Sequence, residues 1–310
     1  MLMKRIKLLL LLIITGTTLT SCVVTNDEFI DDAVSLNELI SSYDLWYIDY
    51  HKTQGSGDVP FISKAFTVSF LSGRMYANNN IVDIGKTGNG LGISVGRYGV
   101  FNNVLETSHN LDGNYDFEVV QLSDNEIRID YLSQNVSYYL VGYQVNNFDY
   151  DKLFYENIEY FLQEYIAWER TDAKGGTSNV FDKEHFLQFT PENDVTFYSS
   201  HDVFGTNIDN IKWDFIGGYE VADVRGYNDL KVLTLNYDSG DTEKFELSVI
   251  NDETVSLYHL RSETTYTFSG RGFVQYLKGD KKRGAKQAVR NSGRKRTKIK
   301  RQTVQRKVLK

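Results

Sequence analysis

Residues 117–142, FEVVQLSDNEIRIDYLSQNVSYYLVG, recur without a gap as residues 245–270, FELSVINDETVSLYHLRSETTYTFSG, at a constant offset of 128. Phe117 meets Phe245, Glu118 meets Glu246, Asp124 meets Asp252, Leu132 meets Leu260, Tyr138 meets Tyr266 and Gly142 meets Gly270. Self-similarity at a fixed offset marks a duplicated folding unit. Within both copies apolar and polar residues alternate with period two between turn residues, the pattern of half-buried strands. The body of the chain therefore reads as a tandem repeat of strand-rich modules.

Upstream of this block, Gly96, Tyr98 and Val100 pair with Gly217, Tyr219 and Val221 at an offset of 121. The second copy thus carries seven extra residues near Ala222 to Lys231, which read as a longer loop. Farther upstream, Leu36, Leu39, Ile40, Tyr43 and Trp46 pair with Ile158, Phe161, Leu162, Tyr165 and Trp168 at an offset of 122. Their i, i+3, i+4, i+7 spacing is the stripe of an amphipathic helix, so each copy opens with a short helix before its Trp. Strands are expected at 66–70, 126–131, 136–141, 232–235, 245–249 and 254–258. Ser72-Gly73, Asp112-Gly113 and Ser239-Gly240 supply the positive φ of tight hairpins, and only Pro60 and Pro191 interrupt the chain. The fold class is all-β: two tandem antiparallel barrels, residues 35–143 and 144–277, each preceded by a short helix.

The start of the chain has a different chemistry. Lys4, Arg5 and Lys7 precede an apolar run from Leu8 to Ile14, too short to cross about 30 Å of hydrocarbon, and Leu19-Thr20-Ser21-Cys22 follows. This segment resembles the lipobox of bacterial lipoproteins. The resemblance implies that residues 1–21 are a signal peptide and that Cys22 is acylated to become the mature N-terminus. Several acyl chains, at about 0.8 kcal/mol per buried methylene, hold a protein firmly to a membrane. Cys22 is the chain's one cysteine, so lipidation leaves no thiol for disulfides, nucleophilic catalysis or metal ligation. Residues 22–34 form a tether in which Asp27, Glu28, Asp31 and Asp32 resemble a surface-export signal of Gram-negative lipoproteins. Val23 stands where an inner-membrane lipoprotein has aspartate, which directs the expectation to the outer membrane or cell surface.

The modules carry a resemblance of their own. A short helix, a Trp on the first strand, a meander of about eight strands and a closing Tyr-x-Phe/Leu-x-Gly strand (Tyr138 to Gly142, Tyr266 to Gly270) resemble the lipocalin-like domain of secreted bacterial lipoproteins. That implies closed barrels whose mouths hold one small apolar ligand or, where Phe, Tyr and Leu fill the interior, none.

Charge divides the chain. Residues 278–310 hold 15 Lys or Arg and one acid, Asp280, a net of +14, whereas residues 23–277 hold 16 basic and 40 acidic residues, a net of −24. The tail has few apolar residues and no aromatic, so it is expected to be disordered alone. Its partner is expected to be an anionic headgroup, a polysaccharide, a protein or the acidic body itself. Nucleic acid fits worst, because stacking aromatics are lacking.

No constellation points to a reaction. Gly85-Lys86-Thr87 lacks the first glycine of a phosphate loop, with Asn80 in its place, and Gly88, Gly90, Gly92 and Gly96 read as hairpin glycines. His51, His109, His185, His201 and His259 show no metal-binding spacing. Because His109 aligns with Tyr237 and Tyr131 with His259, the copies share no histidine. Ser200-His201-Asp202 has the residue types of a hydrolytic triad, but chain neighbours point apart. Asp112 to Asp116 and Asp238 to Glu243 offer oxygen ligands of the kind calcium takes, on hairpins that need no metal. Trp46 and Trp168 are expected to plug the barrel ends. No catalytic residue, metal site or cofactor is assigned, and no ligand-binding residue is named. The expectation is a lipid-anchored, non-enzymatic envelope protein of binding or structural type. The alternatives are a carrier of an apolar ligand and an envelope hydrolase with matched acid and base in one pocket.

Overall fold

A computed structural model describes residues 35–190, 195–274, 296 and 298–306. The signal segment, Cys22, the tether, Pro191 and residues 275–295 lie outside the described residues.

The first copy runs α1 (Leu36–Ser41), β1 (Leu45–Gly55), α2 (Pro60–Lys64), β2 (Thr67–Leu71), β3 (Arg74–Asn78), β4 (Ile93–Phe101), β5 (Val104–His109), β6 (Gly113–Gln121), β7 (Glu126–Tyr131) and β8 (Val136–Tyr143). The second runs α3 (Tyr150–Glu156), α4 (Ile158–Leu162), β9 (Tyr165–Lys174), β10 (Phe186–Thr190), β11 (Thr196–Ser200), β12 (Phe215–Val224), β13 (Tyr227–Tyr237), β14 (Thr242–Asn251), β15 (Thr254–His259) and β16 (Thr265–Phe273). Each is a closed, eight-stranded antiparallel barrel, the first sealed by β1 on β8 and the second by β9 on β16. The expected hairpins at Ser72-Gly73, Asp112-Gly113 and Ser239-Gly240 are present, with positive φ at each glycine.

The two closures repeat each other in detail. Trp46 stands opposite Gly142 and Trp168 opposite Gly270. Each indole N–H donates to a carbonyl six residues back, Trp46 to Ile40 at 2.9 Å and Trp168 to Leu162 at 2.8 Å, which pins the opening helix across the barrel end. Tyr43 and Tyr165 pack edge-on against these indoles and donate their hydroxyls to Asp124 O and Asp252 O. A Cβ on Gly142 would lie 2.4 Å from the Tyr43 ring, and one on Gly270 would lie 2.5 Å from the Tyr165 ring. The terminal glycine of the repeat is thus the space into which the tyrosine fits.

Both interiors are filled by the chain's own side chains. On β8 Val136, Tyr138 and Leu140 are buried, while Ser137, Tyr139 and Val141 on the other face are half-exposed. Trp46, Phe117, Ile127 and Tyr138 in the first barrel, and Trp168, Phe197, Phe245, Tyr266 and Phe268 in the second, are almost wholly buried. Helices α3 and α4 lie between the barrels and join them in one apolar cluster that runs from Tyr47, Phe66 and Ile81 to Phe154, Phe161 and Trp168. Glu164, fully buried, accepts from the amides of Ile81 (3.2 Å) and Val82 (2.9 Å) across this junction. Lys86 of the first barrel pairs with Asp252 of the second.

One expectation changes. The seven extra residues of the second copy do not form a longer loop: they lengthen β12 and β13, which remain joined by the two-residue turn Arg225-Gly226. Backbone groups in a long loop would need outside partners, whereas here Asp223 pairs with Lys231 and Val224 with Tyr227 across the hairpin. The tail, expected to be disordered alone, lies against the acidic body over 298–306 and at Arg296, one of the placements expected for it. There Thr303–Val304 forms β17, parallel to β12, in the register Asp223 to Thr303 and Val224 to Val304. The acidic body supplies partners that an isolated tail lacks.

Gly270→Ala is expected to destabilise the chain by about 1–3 kcal/mol through overpacking against Tyr165. Gly99→Ala, at a strand glycine whose Cβ would meet nothing within 4 Å, should change stability by less than about 1 kcal/mol. Urea unfolding of both variants checks the contrast, and equal effects would count against the steric account.

Candidate functional site

The described tail residues occupy a groove between the barrels, where about 470 Å³ of space is lined by the body residues His51, Asn157, Glu159, Tyr160, Gln163 and Tyr219 and by the tail itself. Three arginines spaced by five residues anchor it. Arg296 is buried over the rings of Phe66 (4.5 Å) and Tyr50 (5.0 Å), and donates to Ile48 O (3.2 Å) and Ala65 O (2.5 Å). Burial pulls its guanidinium down to about 10, so it keeps its charge at neutral pH, held by carbonyl oxygens and ring faces. Arg301 forks onto both carboxylate oxygens of Glu159 (2.7 and 2.6 Å) and reaches Glu156 O. Arg306 forks onto Glu246 (2.8 and 2.9 Å) beside the ring of Tyr227. Bidentate arginine–carboxylate pairs of this kind fix orientation as well as charge. Lys298 and Lys300, between the anchors, are exposed.

The barrel ends remote from the opening helices have diverged. In the first barrel that end is aromatic: His109 stacks on Phe61 at 5.0 Å, beside Tyr115, Phe117 and Tyr131. The second carries buried charge. Tyr237 donates its hydroxyl to Glu184 (2.7 and 2.8 Å to the two oxygens), Glu243 meets His259 Nε2 at 2.7 Å, and His259 Nδ1 meets Ser262 Oγ at 2.6 Å. Arg170 lies between the rings of Phe204 and Tyr266. Burial, reinforced by Glu243, pushes the Glu184 carboxyl up to about 7 against the relief given by its hydrogen bonds. Burial and the neighbouring Glu184 also push the Tyr237 hydroxyl far up.

The motifs singled out in the sequence resolve differently. Lys86 of Gly85-Lys86-Thr87 is engaged by Asp252 and Asp83 rather than left open to a phosphate. Ser200, His201 and Asp202 do not form a relay: Ser200 Oγ accepts from the Asp202 amide, and the His201 ring lies against Phe215. In each acidic hairpin one carboxylate turns inward to a histidine, Asp112 to His109 (3.4 Å) and Glu243 to His259. His51 and His185 meet backbone carbonyls, Glu156 O and Asp202 O. Among the described residues no three His, Cys, Asp or Glu side chains gather as a metal site. Trp46 and Trp168 are core plugs, as expected.

Sequence reasoning missed Ser262–His259–Glu243 as a chain and Glu184 altogether. The one available signal was the Tyr–His exchange between the copies. The chain has the Ser–His–acid order of hydrolytic sites, but Ser262 is 4% exposed and its oxygen is also bonded to Asn179 and Thr264.

Glu184 makes stability pH-dependent. Its folded-state value of about 7 lies above the ordinary 4.5, so its contribution is complete below about pH 4.5 and is lost as the pH rises toward 7. The loss amounts to as much as about 3 kcal/mol. Glu184→Gln cannot ionise, and its urea midpoint should fall less than that of the wild type between about pH 4.5 and pH 7. An unchanged slope would place the titration elsewhere.

The chain matches no protein-family model and no curated protein sequence.

Proposed function

We propose that the chain is a lipid-anchored lipoprotein of a Gram-negative envelope, seated at the outer membrane or cell surface, that works by binding rather than by catalysis. The observation that carries this reading is Leu19-Thr20-Ser21-Cys22 behind a basic and then apolar start. The filled barrel interiors support it, since they direct contact to the outer surfaces, the barrel ends and the groove. The basic arm is the contacting element. Its arginines are held by the body while Lys298 and Lys300 stay exposed along the groove, available to an anionic headgroup, a polysaccharide or a protein.

In cells fed labelled palmitate, the wild-type protein should carry label and sediment with membranes, and Cys22→Ser should do neither. Label on Cys22→Ser, or none on the wild type, overturns the anchor. The Ser262–His259–Glu243 chain favours a second reading, an envelope hydrolase. A fluorophosphonate probe decides between the two: no label at Ser262 is expected, and label lost in Ser262→Ala would establish the hydrolase.

A further inference from the structure

The tail strand meets residues that the first copy does not have. Between β4 and β5 the first barrel makes the short turn Asn102-Asn103, whereas the second extends through Asp223 to Lys231 before the repeat resumes. Among the described residues, the backbone–backbone bonds to the tail fall on that extension: the Asp223 amide donates to Gln302 O at 2.8 Å and the Arg225 amide to Val304 O at 2.9 Å. Tyr227, also in the extension, lies 5.0 Å from the Arg306 guanidinium, and Asp223 lies 3.6 Å from that of Arg301. The extra residues therefore build a seat for an extended strand. The rest of the seat comes from the body: the Phe66–Tyr50 faces and carbonyls around Arg296, Glu159 on α4 and Glu246 on β14.

We propose that the groove between the barrels is a receptor for an extended arginine-bearing strand, and that a second copy of this chain supplies that strand in exchange for its own. Residues 275–295 separate Val274 from Arg296, and a chain of that length reaches up to about 70 Å when extended. That exceeds the roughly 45 Å diameter of a body of this size. The tail can thus serve its own groove or a neighbour's through identical contacts, the condition under which exchange of an element forms dimers at low cost. Parallel strand addition provides the backbone bonds, and the arginine spacing sets the register.

Two full-length variants separate the partners: R296A/R301A/R306A keeps the groove and loses the ligand, while E159Q/E246Q keeps the ligand and weakens the groove. Each alone should sediment as a monomer. Their mixture at about 50 µM should form a one-to-one complex that dissociates in about 0.5 M salt. A mixture that stays monomeric, or a complex indifferent to salt, overturns the exchange. A fluorescent peptide of residues 296–306 tests the receptor separately. It should bind R296A/R301A/R306A saturably, and bind the wild type at least about tenfold more weakly, because the resident tail competes at a high effective concentration. Equal binding to both, or undiminished binding when E159Q/E246Q is added to the triple variant, overturns the receptor.

Discussion

The indole N–H of one tryptophan in each copy is the contact on which both barrels depend. An eight-stranded barrel must seal its last strand to its first and also cover the end where the chain enters. Trp46 and Trp168 do both, lying on the closing strand opposite a glycine and bonding the last turn of the entry helix. The tyrosine three residues earlier takes the volume that the glycine vacates and ties the neighbouring hairpin through its hydroxyl. Because these parts interlock, the Tyr, Trp, Asp and Gly recur in both copies although most of the other aligned residues differ.

Beyond that shared end the barrels are free to diverge. The first covers its far end with stacked rings, among them His109, which Asp112 partners. The second places carboxylates and a histidine there and must satisfy them internally, since an unpaired buried charge costs several kcal/mol. Tyr237 on Glu184, and Ser262 with Glu243 on His259, are that compensation. Glu164 shows the same logic at the junction, where its carboxylate meets two amides of the first barrel.

Much of this architecture is legible in the sequence, and the failures have physical causes. A fixed offset and a change of period from helix to strand locate both barrels, because alternation reports which face a residue takes. Alternation does not report which polar residues meet across a barrel, so Glu184 and Tyr237, 53 residues apart, were not paired. The place of the insertion is legible and its form is not, since nothing local distinguishes a protruding loop from an extended hairpin. The tail's sign was legible, whereas the role of Arg296 was not: it is one of many basic residues, distinguished only by the carbonyls and rings that the body brings to it.

The extended β12–β13 hairpin has a consequence for solubility. A closed barrel has no open sheet edge, which protects it from polymerising strand by strand. By projecting past its partners, β12 restores such an edge at Asp223 and Val224. The chain's own strand Thr303–Val304 covers that edge, held there by Arg301 and Arg306 on either side. A segment that looks like an appendage thus acts as a guard against self-templated aggregation.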